Sequence, residues 1–231
     1  MMLPKIDLPL FNTNLLSSGE EVHYRPFSIK EEKILLTAKQ SGEFGQIMIA
    51  IGQILENCVI GIDPTKLPIF DVTHLLLAIR IVSVSNEVEF SIVDDITNED
   101  VKLSLDLNDV SLLHKDGHEK AIKVDDTGAT LIMRYPTISE FYHLAQASDE
   151  ELYKIMVGCM DKLEKDGAVY DLSEVSDDEM NEFVDSLPST AHMGMRKFFE
   201  TMPVIRHEIK YKNSNDEDRT FVIEGVDSFF I

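Results

Sequence analysis

Tyr24-Arg25-Pro26-Phe27-Ser28-Ile29-Lys30-Glu31-Glu32-Lys33-Ile34-Leu35-Leu36 reads as an extended segment turning into a helix. Pro26 pushes the residue before it out of helical geometry, so the strand ends there. Ser28 stands three residues before Glu31, the spacing of a capping box, in which each side chain satisfies an N–H that a helix start leaves unpaired. Arg25 and Phe27 flank the proline at a rigid junction, and Arg25 is placed to pair with Glu31 or Glu32. The signature recurs at Thr137/Glu140, Ser148/Glu151 and Ser176/Glu179, giving four helix starts.

Outward from that junction, the first helix runs to about Lys39 and ends near Ser41-Gly42. A second carries Phe44, Ile47, Met48, Ile51, Leu55 and Cys58 on one face at helical spacing. After a turn-rich connection from Gly61 to Pro68, Asp71 is placed to cap a third helix. The period then changes to two: Val88, Phe90 and Ile92, then Val101, Leu103, Leu105 and Leu107, alternate with polar residues and predict two half-buried strands around the loop Asp94–Asp100. Another strand is expected from Ala129 to Tyr135. Helical spacing returns near 138–147, 149–163, 177–187 and 190–202. A hairpin closes the chain, with Ile205, His207, Ile209 and Tyr211 on one face of its first strand. The expected class is α+β, in three parts: 1–86 with a strand and three helices, 87–136 β-rich, and 137–231 helical and acidic with the hairpin. No solenoid-like repeat is evident.

The chain has 231 residues, 44% of them hydrophobic, with 12 Phe and no Trp. That supports a packed core rather than a disordered chain. The formal charge of −21 disfavours nucleic acid and anionic membranes as direct partners and is compatible with a basic or hydrophobic protein partner. Between Asp149 and Asp185 there are thirteen Asp or Glu against three Lys, either a solvated face or a docking surface. Cys58 and Cys159 read as buried small hydrophobes of a reducing compartment. No signal-peptide-like or membrane-spanning run is present, and the expected setting is the cytoplasm.

Catalytic chemistry finds little footing. Gly45 to Gly52 lacks the Lys-Ser/Thr of a phosphate loop, and no Gly-x-Ser-x-Gly elbow occurs. His114 and His118 are separated by Asp116-Gly117, a turn signal that breaks the spacing a metal pair needs, so both read as exposed loop histidines. The loop Asp94–Asp100 is rich in oxygen ligands without the pattern of a calcium loop. His74, His143 and His207 read as packed side chains. No metal, cofactor or catalytic residue is assigned. What remains is binding, with Phe198, Phe199, Phe229 and Phe230 as aromatic candidates and Met193, Met195 and Met202 as adaptable apolar surface. Core packing is the competing reading for Phe198 and Phe199.

Arg25-Pro26-Phe27 with Lys30-Glu31-Glu32-Lys33 also resembles the baseplate hub and hub-assembly proteins of contractile-tailed, T-even-like bacteriophages. The likeness continues through Asn57-Cys58-Val59, Leu67-Pro68-Ile69-Phe70-Asp71, Glu87-Val88-Glu89-Phe90, Lys197-Phe198-Phe199-Glu200-Thr201-Met202-Pro203 and Ser228-Phe229-Phe230, covering nearly the whole chain. Some members of that family carry paired cysteines around the central hairpin. The corresponding loop here, Asp94–Asp100, has none, so no zinc role carries over. The resemblance implies a late viral protein acting in the host cytoplasm on hub and tape-measure proteins. Its expected role is that of a non-enzymatic assembly chaperone, with a permanent hub subunit as the alternative and an envelope hydrolase as a third class. Arg25, Phe27, Lys30, Glu31, Glu32 and Lys33 are then either a partner-facing junction or pure fold maintenance.

Overall fold

A computed structural model describes residues 6–124, 128–144 and 148–226. Among these there are seven α-helices and twelve strands, all paired antiparallel, so the class is α+β. The chain forms two compact units: residues 1–113 with 204–231, and residues 114–203. These boundaries differ from the expected divisions at 86/87 and 136/137, because the strands between 87 and 136 do not share one sheet.

In the first unit, β1 (Phe11–Asn14) and β2 (Glu21–Tyr24) form a hairpin, and β2 leads through the Pro26 junction into α1 (Ile29–Ser41) and α2 (Phe44–Cys58). The chain returns as β3 (Val59–Ile60) against β2, placing Tyr24 opposite Val59. A 3-10 turn at Pro64–Lys66 precedes α3 (Ile69–Ser83), whose cap is Pro68 rather than Asp71. Asp71 is buried in the first turn and reaches outward instead. Its Oδ1 accepts the N–H groups of Leu16 (2.6 Å) and Ser17 (3.2 Å), fixing the β1–β2 connection. Then follow β4 (Glu87–Val93), β5 (Asp100–Asp106) and the short β6 (Ser111–Leu113). Ile51, Ile54, Leu55, Leu75 and Ile79 are fully buried here, each contributing on the order of 1.5–3 kcal/mol of transfer free energy.

The second unit opens with β7 (Ala121–Lys123) and β8 (Thr130–Met133), followed by α4 (Ile138–Leu144) and α5 (Asp149–Gly158). The expected helix over 149–163 stops at Gly158. Met160-Asp161-Lys162-Leu163-Glu164-Lys165 is β9, turning at Asp166-Gly167 into β10 (Ala168–Asp171). The φ angles of 53° at Asp166 and 78° at Gly167 mark a type I′ turn, which Asp-Gly adopts at little cost and which matches strand twist. The sheet order is β10-β9-β8-β7. After a 3-10 turn at Leu172–Glu174 come α6 (Asp177–Asp185) and α7 (Ser189–Thr201), and their apolar faces cover a core containing Leu131, Met133, Met156, Met195 and Phe198. The chain then re-enters the first unit as β11 (Val204–Lys212) and β12 (Asp218–Glu224), with Val204 opposite Leu113.

Laid side by side, the two halves of the chain are copies of one plan. Each runs hairpin, helix pair, return strand against the second hairpin strand, 3-10 turn, helix, and long hairpin, the second copy adding β10 before its 3-10 turn and a further helix, α6, after it. Tyr24 opposite Val59 answers to Met133 opposite Met160. Arg25 donates its N–H to the carbonyl of Cys58, and Arg134 donates its own to the carbonyl of Cys159. Asp63 caps the first 3-10 turn through the N–H and hydroxyl of Thr65, and Asp171 caps the second through those of Ser173. Asp94 and Asn213, both buried, organise the β4–β5 and β11–β12 loops, each of which contains a left-handed residue, Asn98 or Asp216. The repeat is a two-copy duplication, which a search for many short periods does not reveal.

Candidate functional site

The Pro26 junction is built by one buried carboxylate. Glu31 is 1% exposed, and its Oε2 accepts the Ser28 N–H (2.8 Å) and hydroxyl (2.6 Å). Its Oε1 takes the Arg25 guanidinium at 3.2 Å. Burial opposes its charge, but the Arg25 and Ser28 hydrogen bonds and the Arg25 charge prevail and lower its pKa to about 2. Arg25 also donates to the Pro26 carbonyl. Arg134 and Glu140 repeat the arrangement in the second unit: Arg134 donates to both Glu140 oxygens (2.9 and 2.7 Å) and to the Tyr135 carbonyl, while the Thr137 N–H reaches Glu140 at 2.8 Å. Glu31 and half-buried Arg25 thus spend their hydrogen bonds inside the fold. Lys30, Glu32 and Lys33 are exposed, Phe27 is half-buried, and its N–H donates to Ser83 Oγ.

Phe198 is 1% exposed at the centre of the second unit, so a partner cannot touch it in this state, and Phe199 is half-buried with its ring edge-on to Phe198 at 5.3 Å. Phe229 and Phe230 lie outside the described residues. His118 is not the exposed loop histidine expected. Its ring joins a three-ring cluster, stacked on Tyr135 (5.6 Å) and tilted against Phe198 (5.1 Å), which also touch each other (5.4 Å); Nδ1 bonds Thr201 Oγ1, and Nε2 bonds the Tyr135 hydroxyl. Burial, then the charges of Lys120 and His114, lower its pKa. Tyr135 just after β8 and Phe198 and Thr201 on α7 supply these partners, so no local sequence signal marks them.

The Asp94 loop is closed rather than ligand-ready. Asp94 Oδ1 accepts the N–H groups of Ile96 and Thr97, and Oδ2 accepts the Tyr211 hydroxyl at 2.7 Å and faces Arg219. The Thr97 N–H and then the Tyr211 hydroxyl lower its pKa to about 2. Among the described residues, no cluster of three His, Cys, Asp or Glu could hold a metal ion. Cys58 and Cys159 are buried free thiols, pushed by burial to about 11 and about 12, and are unreactive there.

The accessible chemistry is instead a charged surface. From Asp171 to Asp185 there are seven acidic residues and no basic one, and all seven are exposed. Ser176/Glu179 and Ser148/Glu151 form complete capping boxes, so part of this acidity is structural. Glu174, Glu182 and Asp185 have no such duty.

The sequence of residues 8–231 matches the family model described as T4 bacteriophage base plate protein. The chain belongs to this family, and it is a phage baseplate protein that works among other baseplate proteins. No curated protein and no solved structure matches it. Among the described residues, no helix is long and apolar enough to cross a membrane.

Proposed function

We propose that this protein is a non-enzymatic assembly factor of the baseplate hub, which captures basic or apolar segments of hub or tape-measure proteins in the host cytoplasm before they are built in. The observation that carries this reading is the run of seven exposed acidic residues from Asp171 to Asp185, on a chain whose family places it in the baseplate. A surface of one sign raises encounter rates with segments of the opposite sign and lets them go at moderate affinity, as an assembly factor requires. A non-enzymatic role is supported by the fate of the most perturbed groups: Glu31, Asp94, Cys58 and Cys159 are committed to the fold.

Quantitative mass spectrometry of purified mature particles tests the reading. Absence of the chain from particles, with abundant protein in the infected-cell lysate, is the expected result. Stoichiometric presence would make it a permanent hub subunit instead. Replacing Glu174, Glu182 and Asp185 together by Lys should weaken partner capture at least tenfold at low salt, and unchanged capture would remove the acidic surface from the argument. A cell-wall lysis assay should be blank.

A further inference from the structure

The duplication supplies an internal control for the second unit. In the first copy, Cys58 stands five residues before the capping Asp63, and the return strand β3 passes straight into the 3-10 turn. In the second, Cys159 stands twelve residues before Asp171, and the additional residues extend β9 and build β10. The first copy therefore shows that this plan closes without an outer strand. β10 adds little to packing: all four residues are exposed, with Val169 at 61% and Tyr170 at 52%. It is the outermost strand of its sheet.

Register fixes which of its backbone groups are free. Lys165 and Ala168 flank the two-residue turn and are the hydrogen-bonded pair, so the next pair, Glu164 and Val169, points its N–H and C=O groups away from the hairpin. Glu164 turns toward β8, where it sits opposite Thr130. Val169 turns both groups toward open solvent, and, two residues on, Asp171 turns its N–H outward while its carbonyl begins the 3-10 turn. Unprotected edges invite strand addition, and proteins blunt them by keeping the edge strand short or with lysine, proline or a bulge. β10 is short, four residues, but carries no lysine, proline or bulge. The chain beyond it is acidic from Asp171 to Asp185 without a single Lys or Arg.

We infer that the outer edge of β10 is a docking site for an extended, lysine- or arginine-rich segment of a partner protein, which adds as a fifth strand beside Val169 and Asp171. Backbone bonds supply the register, Val169 and Tyr170 supply apolar contact, and the following acids select a basic segment. The inference rests on the capture role proposed above and names the surface that performs it.

The test uses the full-length chain and a ten-residue proline-free peptide alternating Lys with Val or Thr, against the same peptide with Glu in place of Lys. Binding is followed by fluorescence anisotropy and by amide exchange in NMR. Val169→Pro removes only an outward N–H and leaves the β9 pairing intact; Val169→Ala keeps that N–H. Expected are salt-dependent binding of the Lys peptide alone, at least tenfold slower exchange of the Val169 and Asp171 amides, and at least tenfold weaker binding by Val169→Pro but not Val169→Ala, with unchanged melting temperatures. Salt-dependent binding that Val169→Pro leaves intact would overturn the edge while keeping the acidic capture surface. No binding of either peptide would overturn both. Concentration-dependent protection of Val169 without peptide would show the edge pairing with a second copy of the chain, and would also overturn the proposal.

Discussion

Glu31 concentrates the physical logic of the Pro26 junction in one side chain. Its pKa falls from 4.5 to about 2 on folding, so the unfolded chain binds the proton more readily. The resulting stability is present above pH 4.5 and is lost as the pH falls toward 2. Glu31→Gln should cost roughly 1–3 kcal/mol at pH 7 and flatten the acid limb of a denaturation series over that window. His118 acts in the same direction nearer neutrality. Its pKa is lowered by burial, so protonation below its ordinary value of 6.5 favours unfolding, and stability of the second unit should decline from pH 7 toward pH 5. His118→Gln should remove much of that slope, read by melting temperature against pH. The Glu31 capping box was legible in the sequence because it is local, four residues of one turn. His118 was not, because its partners Tyr135, Phe198 and Thr201 come from distant elements that only the tertiary fold assembles.

Among the elements, β9 and β10 show what a pattern-based reading loses. Leu152, Ile155, Met156 and Cys159 set a helical period that carries the eye past Gly158, yet Asp166-Gly167 between short alternating runs is a hairpin signal with a mechanism. The local turn chemistry decided the outcome. The α7–β7 contact is tighter and was invisible from sequence. A methyl group on Gly194 would lie 2.5 Å from Ile122 Cγ2, so the helix can approach the strand only because this position has no side chain. Gly194→Ala should destabilise the protein by about 1–3 kcal/mol, despite the better helix propensity of alanine. Adding Ile122→Ala should bring a favourable coupling in a double-mutant cycle of chemical denaturation curves, because it removes the clashing methyl. Additive losses would contradict the steric account.

At the scale of the whole molecule, the helices and the β4–β5 and β11–β12 hairpins were readable one by one, whereas the β1–β2 and β9–β10 hairpins and the division into two units were not. Three contiguous parts are the natural expectation from changes of hydrophobic period. The fold instead places residues 114–203 between Leu113 and Val204, which are paired neighbours in one sheet. The duplication escaped notice for a related reason. Identity between the copies survives only at junction residues such as Arg25 and Arg134, Glu31 and Glu140, Cys58 and Cys159, and Asp63 and Asp171, while the helices between them differ in length. Net charge is also a property of this scale. With −21 spread over 231 residues, self-repulsion opposes compaction, and raising the salt from about 20 mM to 500 mM should raise the melting temperature measurably. Insertion of one unit within the other has a consequence for synthesis on the ribosome. The residues of β6 emerge early, but their partner β11 is translated only after the whole second unit. The part of the chain made first is therefore the part completed last, and β6 stays an unpaired strand until β11 and β12 have left the exit tunnel.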